Sequence, residues 1–508
     1  MVKVIIDDGG MNNEVFDLVR AFFPGEDVQP VKRDSVDENG DSSDYAGSSD
    51  NAESLLIDCR YEQAGQGCFL FYARIMKEGR LLQEVSTEAN QGACSGLALK
   101  RHIKNNLKAC AYRLLSEYTD KKLPWGILTG IRPTKIVHRM MDEGANLEEA
   151  CESLRKDYLV APDKAALLKD IARIQRPHLA GGEKPAVSLY IHIPFCTTRC
   201  LYCSFPSELI ERAEPRMGEY LDCLERELKE GIELLEGRGM IVDNVYIGGG
   251  TPTALSYPNF ERLLKFVHGI LSGHPVEEYT VEAGRPDTID REKLDAMRCF
   301  GVNRISINPQ TMNRDTLERI GRAHAPEDVE RAFQQAREAG FDRINTDIII
   351  GLPGEDVLAV ERTLEGIGAM GPDNLTVHTL AVKRASVLFE SKGRSMLPEE
   401  GAAEAMADLC RTWAYEKGFV PYYLYRQKNM LDNLENVGYT RPGKECLFNI
   451  HTMEERRSIW AFGAGAISKV YYSAEDRLER LVNVKNLGEY IGRIGEMIDK
   501  KKKVLAGS

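Results

Sequence analysis

Between Val187 and Leu380 the chain alternates two patterns. Short β-branched runs at 187–193, 244–248, 278–283, 304–308, 342–351 and 374–380 are separated by stretches of helical period, including 216–236, 256–272 and 326–339. Six strands with helices between them predict a parallel βα repeat. A complete eight-fold barrel takes about 250 residues. The expectation for 186–390 is therefore an α/β fold, a partial, open parallel βα barrel whose mouth admits a large substrate.

The flanks read differently. Residues 1–180 predict an α+β N-terminal domain. It has a strand at 2–6, a helix at 12–23 with Phe16, Val19 and Phe22 on one side, paired strands at 54–60 and 67–77, and helices at 95–118, 146–157 and 161–175. Within it, 34–54 is rich in Asp, Ser, Asn and Gly, with no Lys or Arg between Arg33 and Arg60, and reads as an acidic linker. Gly-Gly-Glu-Lys-Pro at 181–185 marks a boundary. The segment Leu123–Lys135 reads as a structured turn packed by Trp125; the alternative is an anion grip through Arg132 and Lys135. Residues 391–508 predict a mixed, mostly helical C-terminal accessory region, ending in a basic run, Lys500–Lys503, read as a solvated helix end.

A chain of 508 residues is long enough for two or three domains. Its net charge of −12 argues against a general nucleic-acid binder. Small anionic substrates stay open, since a few local Arg and Lys would hold them. The first residues are acidic where a signal peptide needs an apolar run, and no apolar stretch approaches the roughly 18 residues that span a bilayer. A cytoplasmic protein without membrane insertion is expected. Twelve Cys in this length are not a disulfide framework. Nine of them are scattered without ligand-like spacing and read as small buried hydrophobes.

The other three, Cys196, Cys200 and Cys203, form C-x3-C-x2-C on one short loop. Such a loop can hold three irons of a cubic [4Fe–4S] cluster and leave the fourth open, whereas electron-transfer ferredoxins use four Cys. Zinc is the alternative, but it commonly takes four ligands as two separated pairs. The one candidate fourth ligand is His192, four residues before Cys196 on a strand end. In βα folds functional groups gather at the C-terminal strand ends. There the chain places Gly248-Gly-Gly-Thr-Pro252, Glu282, Gln310 and Asp347, with Arg322 twelve residues beyond Gln310. The glycines permit close backbone approach and offer N–H donors to a carboxylate. Glu282 can accept from an ammonium group.

The cysteine motif, with the aromatic Tyr202 before its last Cys, resembles the radical S-adenosylmethionine (SAM) superfamily. Tyr190-Ile-His-Ile-Pro-Phe-Cys196, Gly248-Gly-Gly-Thr-Pro-Thr253, Arg304-Ile-Ser-Ile, Asp347-Ile-Ile-Ile-Gly-Leu-Pro353 and the Gln310-to-Arg322 spacing resemble the oxygen-independent coproporphyrinogen III oxidase family. Trp125-Gly-Ile-Leu-Thr-Gly-Ile-Arg-Pro-Thr134 resembles its HemZ-type branch. The resemblance implies that Cys196, Cys200 and Cys203 ligate a [4Fe–4S] cluster, and that Tyr190, Gly249 and Glu282 contact SAM. Gly250, Thr251, Gln310, Arg322, Asp347 and Ala381 match positions that contact a second SAM, so the implied complement is one or two SAM molecules. No catalytic side chain is assigned. The implied reaction converts two propionates of coproporphyrinogen III to vinyl groups, giving protoporphyrinogen IX. A reducing donor such as flavodoxin or ferredoxin is the implied partner.

One position departs from the family. The oxidases continue Cys-x-Cys after the third ligand, a Cys associated with decarboxylation; here Phe205 stands there, as in the haem-chaperone relatives. The rival expectations are a haem-binding or haem-trafficking protein without decarboxylase activity, with His192, His324 and His378 as candidate haem ligands, and another radical SAM reaction on a tetrapyrrole.

Overall fold

The computed structural model describes residues 1–6, 12–31, 54–65, 67–92, 94–130, 132–179, 185–390 and 395–507. The expected acidic linker lies outside the described residues apart from Ser54. The chain forms two compact units, Met1–Lys169 and Asp170–Ser508.

The first unit is built on a five-stranded sheet in the order Val28–Pro30, Val2–Ile6, Leu55–Gln63, Cys68–Lys77, Arg80–Asn90. The first three strands are parallel and the rest antiparallel. The last strand was not legible, because its few apolar residues do not alternate regularly with the polar and charged ones and it stays largely exposed. Helix Asn12–Phe22 buries Val15, Leu18, Val19 and Phe22. Phe16 departs from the expected apolar side and is half-buried beneath the Arg20 guanidinium, 4.4 Å from its ring centre. Trp125 is fully buried in the turn at 124–127. Gly126 has φ +53°, and a Cβ there would lie 2.2 Å from the Tyr158 carbonyl oxygen. The segment is thus the packed turn expected of it, and it leads into helix Thr134–Asp142.

The second unit carries an eleven-stranded sheet. Its six central strands are β1 (Ala186–Ile193), β2 (Ile241–Gly249), β3 (Glu278–Glu282), β4 (Arg304–Ser306), β5 (Ile344–Ile350) and β6 (Asn374–Thr379). They lie side by side in chain order, every neighbouring pair parallel. This is the predicted open, partial βα barrel. The C-terminal region is mixed, with helices Ala402–Glu416, Leu447–Glu454, Leu487–Gly492 and Ile494–Gly507. It also supplies five strands that periodicity did not reveal: β7 (Val420–Tyr425), β8 (Asn436–Thr440), β9 (Ile459–Phe462), β10 (Ile467–Tyr472) and β11 (Arg477–Val482). The full order is β7-β8-β6-β5-β4-β3-β2-β1-β9-β10-β11, with β9 parallel to β1 and β8 antiparallel to β6.

Side chains alternate across a strand with period two. Leu189 and Ile191 of β1, Val245 and Ile247 of β2, Val281 of β3 and Ile305 of β4 share one core with helix residues such as Leu224, Leu228, Leu263 and Phe333. The alternate positions are polar or aromatic: Ser188, Tyr190 and His192; Asn244 and Tyr246; Glu278, Thr280 and Glu282; Arg304 and Ser306; Asn345 and Asp347; Asn374, Thr376 and His378. Two of the helices that connect the strands, Arg291–Cys299 and Val357–Met370, start at Asp caps. Asp290 accepts from Lys293 N, and Asp356 from Ala359 N, each at 2.8 Å.

At the N-terminal ends of these strands the polar face is closed. Arg304 donates to Glu278, Asn345, Asn374 and the carbonyls of Lys444 and Glu445. Glu278 also accepts from Leu447 N and Phe448 N at the start of helix Leu447–Glu454, where the helix dipole favours an anion.

The basic tail is not a solvated helix end throughout. Lys501 is buried, donating to Glu227 at 2.6 Å and to Asn483 at 3.2 Å. Glu227 also accepts from Gly463 N, Asn483 and Tyr490. The lysine is buried because it has these partners, a condition hydropathy alone does not reveal. Cys299 is likewise exposed rather than buried, and Cys68, Cys94, Cys151 and Cys223 are half-buried. No helix among the described residues is long and apolar enough to cross a membrane.

Candidate functional site

The three-cysteine loop leaves the end of β1. Phe195–Cys196 form a two-residue strand paired with Glu208–Leu209. Cys203 N donates to Cys200 O at 3.1 Å, which tightens the second half of the loop. All three thiols are free and half-buried. Thr251 Oγ1 lies 3.6 Å from Cys196 Sγ, and Arg285 Nη2 lies 3.6 Å from Cys200 Sγ, so both sulfurs face hydrogen-bond donors. Burial raises the thiol pKa of Cys196 and of Cys203; a hydroxyl at Cys196 and a backbone amide at Cys203 oppose it. Among the described residues no three His, Cys, Asp or Glu side chains gather on a single metal-ion position. Three free thiols on one loop, two of them met by polar donors, fit a [4Fe–4S] cluster, whose ligands bind separate irons. His192 is not a fourth ligand: Nδ1 sits 2.6 Å from Ala464 O and the ring packs against Gly249.

The glycine turn follows β2 and lies beside this loop. Gly250 N donates to Ile193 O at 2.8 Å, and Thr251 N to Phe195 O at 2.6 Å. Gly249 has φ +111°, and a Cβ there would fall 2.2 Å from His192 Cδ2. At Gly250 a Cβ would fall 2.4 Å from the Phe195 carbonyl oxygen. The sequence needs glycine here because β1 and its loop pass too close for a side chain.

Glu282, at the end of β3, accepts from Tyr246 Oη at 2.6 Å and from Gly249 N at 3.0 Å. Burial pushes its carboxyl up to about 7, and the Asp347 carboxylate adds to the rise. Burial first, and Glu282 second, hold the Tyr246 phenol well above its ordinary value, so it stays a donor. Tyr190 stacks on Phe448, centroids 5.7 Å apart, and Phe448 stacks on Tyr246 at 4.3 Å. Tyr190, Gly249 and Glu282 thus share one neighbourhood.

The second group is spread along the next strand ends. Gln310 has φ +71°; its N–H donates to Asp347 O, and its carbonyl accepts from Ile349 N. Among the described residues its buried side-chain Oε1 meets no partner. Arg322 is buried and donates to the carbonyls of Asn308, Pro309 and Gly284, while its Nε has no partner. Asp347 Oδ2 lies 3.6 Å from His378 Nε2, and His378 Nδ1 lies 3.2 Å from Tyr425 Oη. Ala381 follows β6 and bridges to Met430. The backbone joins Gln310 to Asp347, whereas Ala381 pairs with Met430 and Thr251 turns its hydroxyl to Cys196. His324 is buried, its ring pushed down to about 3 by desolvation and by Arg322 and Arg285.

Tyr246, Phe448 and Arg285 were not singled out from the sequence. Tyr246 sits two residues before the glycine turn, so strand alternation puts it on the same face. Arg285 follows Glu282-Ala-Gly, where a charged residue in a turn reads as solvated. Phe448 lies in the C-terminal region, without a motif.

The sequence pattern of the Radical SAM superfamily matches residues 190–367. The E. coli structure described as "Coproporphyrinogen III oxidase (HemN)" and as a radical SAM enzyme aligns with a TM-score of 0.50 at 24% identity, covering 64% of this chain and 73% of that one. That likeness shows the fold. The heme chaperone HemW of Bacillus subtilis is 32% identical over 61% of this chain and 76% of its own length. The oxygen-independent coproporphyrinogen-III oxidase-like protein HemZ of Bacillus subtilis is 39% identical over 408 residues, 80% of this chain and 81% of that relative. A match of 408 residues is longer than the second unit and extends into the first, and the chain belongs to the radical SAM superfamily, in the oxygen-independent coproporphyrinogen III oxidase family and its HemZ-type branch.

Proposed function

We propose that this chain is a radical SAM oxidoreductase that decarboxylates two propionates of coproporphyrinogen III to vinyl groups without oxygen, giving protoporphyrinogen IX. The observation that carries the reading is the pairing of Glu282 with Gly249 N–H and Tyr246 beside a loop of three free cysteines, at the C-terminal ends of a parallel sheet. The kinship with the HemZ protein supports the substrate class.

In this reading Cys196, Cys200 and Cys203 hold the [4Fe–4S] cluster. Cluster and SAM, when bound, would supply the radical chemistry that removes hydrogen from the propionate carbon next to the pyrrole. The chain's own groups position and shield. The Gly249 backbone and the Glu282 carboxylate, which accepts from Tyr246 and Gly249 N, would receive the amino-acid end of SAM, a carboxylate being suited to its ammonium group. Tyr190, stacked on Phe448, walls that site. Gly250, Thr251, Gln310, Arg322, Asp347 and Ala381 serve a second SAM. The unpartnered Gln310 Oε1 and Arg322 Nε are polar atoms that such a ligand would satisfy. A cytoplasmic one-electron donor of the flavodoxin or ferredoxin kind would reduce the cluster, and a one-electron acceptor would take the electron that each propionate radical gives up as CO2 leaves and the vinyl group forms.

A second reading, haem binding without decarboxylation, is favoured by Phe205, which is 63% exposed where the oxidases carry Cys. An anaerobic assay with reconstituted cluster, reductant, SAM and coproporphyrinogen III separates the two. Loss of two CO2 with release of 5′-deoxyadenosine is expected. Stoichiometric haem binding with neither product would replace the oxidase reading, and deoxyadenosine without decarboxylation would move the chemistry to another tetrapyrrole position.

A further inference from the structure

Arg285 occupies an unusual position for a buried cation. It is 3% exposed, and among the described residues its side-chain hydrogen-bond partners are hydroxyls, a sulfur and a carbonyl rather than a carboxylate. Nη1 donates to Thr197 Oγ1 at 2.5 Å. Nη2 donates to Thr198 Oγ1 at 2.7 Å, and lies 3.6 Å from Cys200 Sγ and 3.5 Å from Gly321 O. One guanidinium therefore reaches three residues of the cysteine loop, Thr197, Thr198 and Cys200, from beyond the end of β3, two strands away from β1. The loop is tied at the same point a second time, since Thr198 Oγ1 also lies 2.9 Å from Gly321 O. The arginine's own backbone is fixed: its carbonyl accepts from Thr288 N at 3.0 Å and from Thr288 Oγ1 at 2.8 Å.

A desolvated guanidinium without a carboxylate partner is costly unless something anionic completes the site. The chemical group in reach that becomes anionic is the Cys200 sulfur, which is a thiolate whenever it ligates iron. A planar fork that holds two hydroxyls and a sulfur is a task Arg performs and Lys does not. The potential of an iron–sulfur cluster depends on net charge and on hydrogen bonds to the sulfurs. A cationic donor at a ligand sulfur stabilises the reduced, more negative state and makes reduction by an external one-electron carrier easier.

We infer that Arg285 is a positioning residue for the cluster loop that also raises the reduction potential of the cluster through Cys200. The inference rests on the cluster ligation by Cys196, Cys200 and Cys203 and is independent of whether the chain decarboxylates or carries haem.

The test uses full-length protein reconstituted without oxygen. Iron and sulfide per chain and the EPR-monitored midpoint potential are measured for the unsubstituted chain, Arg285→Gln and Arg285→Lys. We expect a clear shift of the midpoint to more negative potential in Arg285→Gln. Arg285→Lys keeps the charge but loses the fork, and its midpoint should fall between. Equal midpoints in all three proteins would overturn the tuning role. If both variants lose iron, an unchanged thermal melt of the iron-free proteins would support loop positioning. A collapsed melt would overturn it, making Arg285 a residue of the general fold. Absence of a cluster from the unsubstituted chain is a separate outcome, which would remove the ligand assignment itself.

Discussion

Arg304 Nε donates to Glu278 Oε2 at 3.0 Å, and neither side chain keeps any exposed surface. The pair sits where β3 and β4 begin, and its remaining donors and acceptors are satisfied by Asn244, Asn345, Asn374 and the 444–448 backbone. A buried ion pair is weak evidence for stability in itself, but removing one partner strands a charge and costs about 3–5 kcal/mol. We expect Arg304→Met to destabilise the second unit by that amount, and Arg304→Met combined with Glu278→Gln to recover part of it. Urea unfolding followed by hydrogen exchange in β3 reports this unit apart from the first. Equal losses in the single and double variants would mean that packing, rather than the stranded carboxylate, sets the cost.

The glycine turn leads to a binding prediction. At Gly250 a Cβ would meet Phe195 backbone atoms at 2.4 and 2.8 Å, and backbone cannot swing aside as a side chain can. Gly250→Ala therefore pushes the turn away from the cysteine loop while all three thiols remain. We expect iron content to hold and SAM affinity to fall at least about tenfold, a loss of about 1.4 kcal/mol. Calorimetric titration of SAM into the reconstituted variant measures it. Unchanged affinity would take the turn out of the SAM site.

Much of this architecture was legible because two periods were clean. The six central strands combine an apolar face with β-branched residues, and the helices between them carry one buried stripe, so both type and order could be read. The five C-terminal strands could not. β11 is Arg-Leu-Glu-Arg-Leu-Val, half-exposed and held by pairing with β10 rather than by burial of its own. β9 earns its place by pairing with β1, about 270 residues earlier in the chain, a long-range contact with no local signal. At the site, cysteine spacing and the glycine run announce themselves. Tyr246, Phe448 and Arg285 act through contacts to distant segments, and Lys501 is buried only because Glu227 meets it.

Glu282 should make stability depend on pH. Its folded pKa, pushed up to about 7, lies above the ordinary 4.5, because burial disfavours the charged form. The folded protein then binds this proton more tightly than the unfolded chain. The associated stability is fully present below pH 4.5 and is lost as the pH rises through about 7. Full expression of the shift would amount to about 3 kcal/mol, reduced by solvent at this half-buried carboxyl. Comparing melts of the unsubstituted iron-free protein and Glu282→Gln from pH 5 to 8, we expect the unsubstituted protein to lose ground steadily. Adding SAM should flatten the difference, since an ammonium ligand favours the carboxylate. Parallel melts across that range would show that Glu282 is ionised throughout.

A change at Phe205 tests the proposed cluster ligation apart from the proposed decarboxylation. Its side chain is 63% exposed, whereas the three cysteines are half-buried and two of them are met by Thr251 and Arg285. A thiol introduced at 205 would thus add to the three cysteines proposed as ligands rather than replace one of them. We expect Phe205→Cys to bind the same iron and sulfide per chain as the unsubstituted protein, with the same EPR line shape. Cys196→Ala, which removes a thiol that Thr251 contacts, should lose the cluster signal. A new line shape in Phe205→Cys would mean that position 205 reaches the iron. With the cluster unchanged, any gain in vinyl product from coproporphyrinogen III in this variant would come from the new thiol acting on the substrate side of the reaction.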